Sequence, residues 1–363
     1  MKKLLPNLLL VLATLALTGA VGEVLVRLLF KQQTVLFPRY HTDYKYGDYT
    51  LRGIRPASEF WHTSVDGSWR FATNNRGLRD TRNFGYEKPP GVLRVLSLGD
   101  SHTQGYEVRQ EATFSAVLER YLESRSVRAQ VLNAGVSGFS TAEELAYLIG
   151  EGYKYKPDVV VVGFYANDFE DNLKAGLFAL DDKGRVVEKA RSHLPGVKIQ
   201  NVIYAVPGVR WMSENSYFYS LAFNGVWAFF KGRMEKQVKF EKSVGSASGR
   251  SQQEIDLAVG LLERMHRFCG DRNIRLIVVD IPTHPAPHRF ESSLPEPMRQ
   301  QLAHAGIEVI ESRALLGELD GAAEFHVPHG HNHISELTHA LIAKQLGLKI
   351  APRAHAQQAK LAR

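Results

Sequence analysis

The stretch Val92-Leu93-Arg94-Val95-Leu96-Ser97-Leu98, followed at once by Gly99-Asp100-Ser101-His102-Thr103, decides how this chain folds. The first seven residues are short, apolar and partly β-branched, as in a buried strand. In an open α/β sheet, ligands bind beyond the carboxyl ends of the strands, so Ser101 stands where a reacting group is expected. The Gly-Asp-Ser triplet alone is weak evidence, because Asp and Ser are also common turn and capping residues.

The pattern of short apolar strands and amphipathic helices recurs along the chain. Further strands are predicted at 129–132, 159–164, 274–281 and 306–310, and helices at 114–122, 143–149, 253–270 and 335–346. Strands that are apolar on both faces and alternate with helices are typical of a parallel sheet with helices on both sides. The sequence therefore predicts a three-layer α/β/α fold with a parallel central sheet.

Composition shifts divide the chain into four predicted parts. They are an N-terminal signal anchor or signal peptide (1–30), an irregular lead-in of short strands and turns (31–91), a main domain (92–350) and a basic tail (351–363). An insertion at about 169–252 interrupts the main domain and contains the hairpin turn Asp181-Asp182-Lys183-Gly184. Such an insertion forms a lid or substrate wall, or lies against a membrane surface, and the sequence leaves both interpretations open.

The N-terminus predicts a membrane-directed segment. Lys2 and Lys3 precede an apolar stretch, 4–22, that approaches the ~20 residues needed to span a bilayer. Because Thr18-Gly19-Ala20 is a poor cleavage site, an uncleaved anchor is favoured over a cleaved signal peptide. Lysines before the span and few charges just after it favour a body on the extracytoplasmic side, periplasmic or at the cell surface.

The overall composition excludes some classes of protein. Hydrophobic residues make up 44% of the chain and charged residues 23%, which is typical of a globular protein. The net charge of +7 lies partly in the two ends and forms no clustered basic stretch, so no nucleic-acid partner is expected. The single cysteine, Cys269, rules out an intrachain disulfide and lies in an apolar-periodic stretch, which predicts a core residue.

Three further motifs carry polar groups at predicted element boundaries. Asn133-Ala134-Gly135-Val136-Ser137-Gly138 and Gly163-Phe164-Tyr165-Ala166-Asn167-Asp168 each end a strand, and His333 precedes the last helix. A glycine N–H and an Asn amide can donate to a developing oxyanion. A histidine can take the proton from a serine hydroxyl, because its pKa lies near 7. Each motif alone is also an ordinary turn or cap.

In order and rough spacing, these four motifs resemble the conserved blocks of the SGNH (GDSL-type) hydrolase superfamily over about residues 92–346. Asn75-Arg76-Gly77-Leu78-Arg79-Asp80 also resembles the lead-in of its membrane-anchored bacterial members. The resemblance implies a flavodoxin-like SGNH fold with Ser101 as nucleophile and His333 as general base. It further implies an oxyanion hole formed by the N–H of Ser101, the N–H of Gly138 and the amide of Asn167; spacing favours Gly138 over Gly135.

The sequence departs from the family pattern just before His333. The family has an Asp two or three residues earlier, where this chain has His331 and Gly330. Asp320 or Glu324 could reach in as the orienting acid, a backbone carbonyl could orient His333 in a Ser–His dyad, or the protein could be a catalytically weak glycan-binding relative. In the same block, Thr338 replaces the usual glycine.

The histidines before the last helix also allow a rival interpretation. His326, His329, His331 and His333 lie close together, and the last three alternate at period two, so in an extended segment they would share one face and could bind zinc. No acidic or cysteine ligand stands nearby, and the serine motif would then be idle. We therefore expect no metal and no cofactor.

The resemblance implies a specific activity. It is that of a serine esterase that removes a short, acetyl-like acyl group from a glycan or lipid ester through an acyl-serine intermediate. The alternative is an O-acyltransferase that moves the acyl group onto a cell-envelope or secreted polysaccharide. The two differ in whether water or a sugar hydroxyl resolves the acyl-enzyme. The expected partners are this substrate and, through the N-terminal helix, a membrane.

Overall fold

The computed structural model describes residues 4–38, 40–226, 250–329 and 332–361. The strands are β1 (His41–Tyr46), β2 (Tyr49–Ile54), β3 (Glu59–Thr63), β4 (Ser68–Ala72), β5 (Leu93–Gly99), β6 (Ala129–Asn133), β7 (Val159–Phe164), β8 (Phe178–Leu180), β9 (Val186–Glu188), β10 (Ser192–His193), β11 (Arg275–Asp280) and β12 (Glu308–Ile310). The helices are α1 (Leu4–Leu29), α2 (Ser101–Gln104), α3 (Phe114–Ser124), α4 (Thr141–Gly150), α5 (Asp168–Ala175), α6 (Val197–Ala205), α7 (Val209–Asn215), α8 (217–226), α9 (Gln252–Gly270), α10 (Glu296–His304), α11 (Ser312–Leu316) and α12 (Glu336–Leu361). The predictions made for Lys2, Lys3, Gly330 and His331 fall on residues outside this part of the chain.

A five-stranded parallel sheet forms the centre of the fold, with the strand order β12-β11-β7-β5-β6. Alternate residues of each strand face opposite layers: on β5, Val95 packs with the residues of α3 and α12, whereas Leu96 packs with those of α4 and α9. The predicted three-layer α/β/α fold is thereby confirmed. The carboxyl ends of β5, β6 and β7 lie side by side at one edge.

The lead-in before this sheet is an ordered part of the same core. Strands β1 and β2 form one antiparallel hairpin and β3 and β4 another, while β10 of the insertion adds to β2 in parallel. Leu51, Phe60 and Phe71 are buried in the cluster that also contains residues of β5 and β7. The expected short strands are present, and their buried side chains share the hydrophobic core of the main domain.

Two further expectations concern the second half of the chain. The helix predicted to end at 346 continues to Leu361, because Ile350 and Ala354 extend its buried stripe against the layer that contains α3. Cys269 is fully buried in α9, and burial raises the pKa of its thiol to about 12, as expected of a core residue. The predicted turn 181–184 joins β8 to β9.

Candidate active site

Ser101 is the first residue of α2, directly beyond the carboxyl end of β5. The Asp100 carboxylate caps this short helix by accepting a hydrogen bond from the His102 N–H at 2.8 Å. A side chain on Gly99 or Gly163 would overlap the Thr103 hydroxyl, so the two glycines let α2 sit close against the ends of β5 and β7. This close packing is the physical reason for glycine in both motifs.

Ser101, His333 and Glu107 form a continuous series of polar contacts. The His333 Nε2 atom lies 2.9 Å from the Ser101 Oγ, and the His333 Nδ1 atom lies 3.3 Å from a carboxylate oxygen of Glu107. His333 and Glu107 are both buried. A serine, a histidine and a carboxylate arranged in this way are the functional groups of a Ser–His–acid site.

The acid in this series is not one of those expected from the sequence. Asp320 pairs with Arg289 at 2.8 Å, and Glu324 lies 3.2 Å from His288, both at the surface. The structure therefore corrects the expectation that Asp320 or Glu324 approaches His333. Sequence reasoning missed Glu107 because it belongs to the loop after α2, and 226 positions separate it from the histidine that it contacts.

Arg79 of the lead-in holds the loop that carries Glu107. Its guanidinium donates to the carbonyls of Gln104, Gly105 and Val108 and lies 4.3 Å above the Phe71 ring. Burial of this cation lowers its pKa to about 9. Arg79, in the Arg76-Gly77-Leu78-Arg79-Asp80 stretch, thus fixes the backbone on both sides of the acid.

The lead-in also forms a wall beside Glu107. His62 of β3 is buried, and its Nε2 lies 3.8 Å from the second carboxylate oxygen of Glu107. The His62 ring packs 4.4 Å from the Tyr106 ring, which in turn lies 4.6 Å from the His333 ring. Two residues from the predicted irregular segment therefore hold this acid: His62 lies beside its carboxylate, and Arg79 bonds the backbone on either side of it.

Of the predicted oxyanion-hole residues, Ser101 follows β5, and Gly138 and Asn167 lie on the loops that follow β6 and β7. The Gly135 N–H donates to the Asn133 side chain at 3.0 Å and is thus already engaged. The Gly138 N–H, in a left-handed conformation (φ +78°), donates to no protein group in the described part of the chain. Asn167 bonds the Asp100 carboxylate through its side chain, and an amide NH2 still has a second N–H to donate.

Burial shifts the pKa values of several ionisable groups around Ser101. It raises the pKa of Asp100 to about 7, although hydrogen bonds from the His102 N–H and the Asn167 amide act in the opposite direction. Burial likewise raises the pKa of Asp168 and Glu144 well above the usual carboxyl range. It lowers the pKa of His102 well below its usual value, and this neutral ring accepts the Ile334 N–H at 3.4 Å. His102 therefore supports the backbone next to His333.

The three of these candidate zinc ligands that the structure describes, His326, His329 and His333, go to separate partners. The His326 Nε2 lies 3.0 Å from the Pro282 carbonyl, His329 pairs with Asp66 at 2.7 Å, and His333 contacts Ser101. The segment folds back on itself through a bridge between His326 and Ile334, so it is not the extended strand that a shared face requires. Among the described residues, no group of three or more His, Cys, Asp or Glu side chains is placed to hold a metal.

The fold and the site define a class: a parallel α/β/α protein with a Ser–His–acid series at the carboxyl edge of its sheet. In agreement, residues 97–225 match the GDSL-like lipase/acylhydrolase family, a range that includes Ser101, Gly138 and Asn167 and ends before His333. This match supports an ester-hydrolysing enzyme. No curated protein matches the sequence significantly.

Solved structures that resemble the chain share little sequence with it. The crystal structure of TesA is 13% identical with a TM-score of 0.41, covering 71% of this chain and 98% of its own. The lipase/acylhydrolase from Enterococcus faecalis is 17% identical with a TM-score of 0.40, covering 72% and 96%. The acetyl xylan esterase AlAXEase is 12% identical with a TM-score of 0.39, covering 71% and 100%.

Proposed function

We propose that this chain is an extracytoplasmic serine esterase that removes a short acyl group from a glycan or lipid ester. The observation that carries the proposal is the Ser101–His333–Glu107 series, in which hydrogen-bonding distances link the hydroxyl, the imidazole and the carboxylate. It supplies the acid that the sequence lacks before His333, and it therefore favours an active enzyme over a binding relative.

In the acylation step, the Ser101 Oγ attacks the acyl carbon while His333 Nε2 takes the hydroxyl proton. The carbonyl oxygen becomes an oxyanion, which the N–H groups of Ser101 and Gly138 and the amide of Asn167 stabilise. His333 then gives its proton to the leaving alcohol as the carbon–oxygen ester bond breaks. Glu107 holds the Nδ1–H tautomer of His333 and stabilises the imidazolium.

Deacylation repeats these steps with water. His333 takes a proton from water, the hydroxide attacks the acyl-serine carbonyl, and the proton returns to the Ser101 Oγ as the free acid leaves. A sugar hydroxyl in place of water would give the O-acyltransferase. The rings of His102 and Tyr106 pack against His333, and the Tyr165 ring packs against His102; this cluster of rings favours a short acyl group such as acetyl.

The proposed location rests on α1. Residues Leu5–Leu29 form a helix long and apolar enough to cross a membrane, and most of its side chains are exposed. The lysines that precede this helix favour an N-terminus on the cytoplasmic side and a body on the other side.

The test is the hydrolysis of p-nitrophenyl acetate by the wild type and by Ser101→Ala, His333→Ala and Asn167→Ala. Ser101→Ala and His333→Ala should abolish turnover above background. Asn167→Ala should lower kcat by about 100-fold, the usual cost of losing one oxyanion donor. A fluorophosphonate probe should label the wild type and leave Ser101→Ala unlabelled. Equal slow rates in wild type and Ser101→Ala, together with an unlabelled Ser101, would refute the esterase.

A further inference from the structure

Helix α6 turns apolar side chains towards the outside of the molecule. Ile199 and Val202 are 50 and 70% exposed, and their spacing places them on one helical face; Val206, the residue that follows the helix, is 50% exposed. The opposite face, which contains Val197 and Gln200, is buried against the body. A helix at a water-exposed surface shows the reverse pattern, with its polar face outwards.

Helix α7 continues this inverted pattern. Trp211 is 66% exposed, whereas the side chain of Glu214 in the next turn is largely buried and that of Arg210 is half exposed. Arg210 donates to the Glu59 carbonyl, and the Glu214 carboxylate accepts the Trp61 N–H at 3.0 Å. We call Ile199, Val202, Val206 and Trp211 the outer apolar surface.

The insertion that bears this surface is bonded to the C-terminal end of α1. The Glu23 carboxylate accepts hydrogen bonds from the Ser216 hydroxyl and from the N–H groups of Tyr217 and Phe218, so it caps α8. The Phe218 ring packs against Gly22, and Arg27 donates to the Asn215 carbonyl at 3.0 Å. The end of α1 and the α7–α8 junction are thus one packed unit.

We infer that α6 and α7 lie in the interfacial layer of the bilayer that α1 spans, with the outer apolar surface among the lipid acyl chains. This inference rests on the membrane anchor in the proposed function. The occupant is lipid because α1 and its Glu23 contacts bring the bilayer to the insertion. An exposed Trp beside aliphatic residues and the cations Lys198 and Arg210 is also the composition of interfacial helices.

This placement has a consequence for the enzyme. Arg55 of the lead-in stacks on the Tyr204 ring of α6 at 4.0 Å and donates to Asn201, so the lead-in that holds Glu107 is bonded to the membrane-facing helix. The body therefore rests on the bilayer, and the active site stays close to the membrane surface, where it meets substrates attached to or adjoining the envelope.

The experiment uses the full chain in phosphatidylcholine vesicles with a single tryptophan. Trp61, Trp69 and Trp227 are replaced by Phe, which leaves Trp211 as the reporter. Lipids brominated near the top of the acyl chain should quench its fluorescence by at least about two-fold, because interfacial helices lie only ~5–10 Å deep. A matched chain that keeps only Trp69, in β4 beside His62, should not be quenched.

A second pair of variants tests the surface itself. Ile199→Gln combined with Val202→Gln should reduce the quenching of Trp211. Leu348→Gln, at a similarly exposed apolar position on α12, should not. Protein that floats with the vesicles and hydrolyses p-nitrophenyl acetate but leaves Trp211 unquenched would overturn the inference alone. Protein that does not float would overturn the anchor as well, and loss of hydrolysis with normal quenching would count only against the esterase.

Discussion

At the scale of single residues, Glu107 has a backbone conformation that few glutamates adopt. Its φ of +60° lies in the left-handed region, which costs a residue with a Cβ about 1 kcal/mol. The conformation turns the carboxylate towards His333, and the extra methylene of Glu relative to Asp adds reach. Strain at this position is therefore consistent with a functional role, because the surrounding contacts hold it there.

We predict that Glu107→Gln lowers kcat for p-nitrophenyl acetate by at least ~100-fold with little change in KM. The amide keeps the shape of the side chain but loses the charge that stabilises the His333 imidazolium. The kcat of Glu107→Asp should lie between those of the wild type and Glu107→Gln, because Asp keeps the charge but has a shorter side chain. Steady-state kinetics at neutral pH provides the measurement.

Three matched carboxylates serve as controls for this prediction. Glu111→Gln changes an exposed acid close to Glu107, and Asp320→Asn and Glu324→Gln change the two acids expected from the sequence. All three should leave kcat within about two-fold of the wild type, as for surface substitutions in general. A Glu107→Gln enzyme with wild-type kcat would show instead that His333 works in a Ser–His dyad.

At the scale of elements, the lead-in hairpins complete a site that the main domain does not complete alone. β3 supplies His62, and the turn after β4 supplies Arg79, whose three carbonyl contacts fix the loop around Glu107. Arg79 is thus a positioning residue that acts through Glu107. A lysine has the charge but not the planar fork that reaches several carbonyls at once.

We predict that Arg79→Lys lowers kcat by about ten-fold and that the loss largely disappears in a Glu107→Gln background. Two residues that act through one another are non-additive, whereas independent structural damage adds. The measurement is a double-mutant cycle in kcat, with the free energy of unfolding followed by urea titration.

Arg94→Lys is the matched control for Arg79→Lys. Arg94 is also buried and also donates to main-chain carbonyls, those of Gly85, Tyr86 and Tyr155, at the opposite end of β5. It should reduce stability to a similar extent and leave kcat unchanged. If Arg79→Lys lowers kcat equally in the wild-type and Glu107→Gln backgrounds, Arg79 acts by general stabilisation of the fold.

The elements that the sequence predicted well are those in which local pattern and burial agree. β7 is apolar at every position because helices cover both of its faces, and its predicted bounds match the structure. Helices α6 and α7 escaped prediction because α6 has apolar residues on both faces, with Val197 inwards and Ile199 and Val202 outwards, and because α7 has only 7 residues. The Glu107–His333 contact has no local pattern, because it depends on how distant loops meet at the sheet edge.

At the scale of the whole molecule, the buried ionisable groups act on stability in opposite directions. The buried histidines His102, His326 and His339 have lowered pKa values, so they favour unfolding at acid pH, where the unfolded chain binds more protons. The buried carboxyls Asp100, Asp168 and Glu144 have raised pKa values and act in the other direction. Only a difference between variants isolates one of these contributions.

We predict that Asp100→Asn gains stability relative to the wild type as the pH rises. Asp100 in the unfolded chain ionises near pKa 3.8 and in the folded chain near pKa 7, so between these values the folded state holds a proton that the unfolded state has released. The stability that Asp100 contributes is therefore fully present below pH 4 and is lost as the pH rises towards 7. The total loss in the free energy of unfolding is at most ~4 kcal/mol. Asparagine still caps α2 and carries no charge at any pH.

Urea unfolding at several pH values between 4 and 8 measures the difference in stability between Asp100→Asn and the wild type, with the exposed Asp182→Asn as the control. If the Asp100→Asn and wild-type curves run parallel over this range, Asp100 does not titrate in the folded protein as its burial requires.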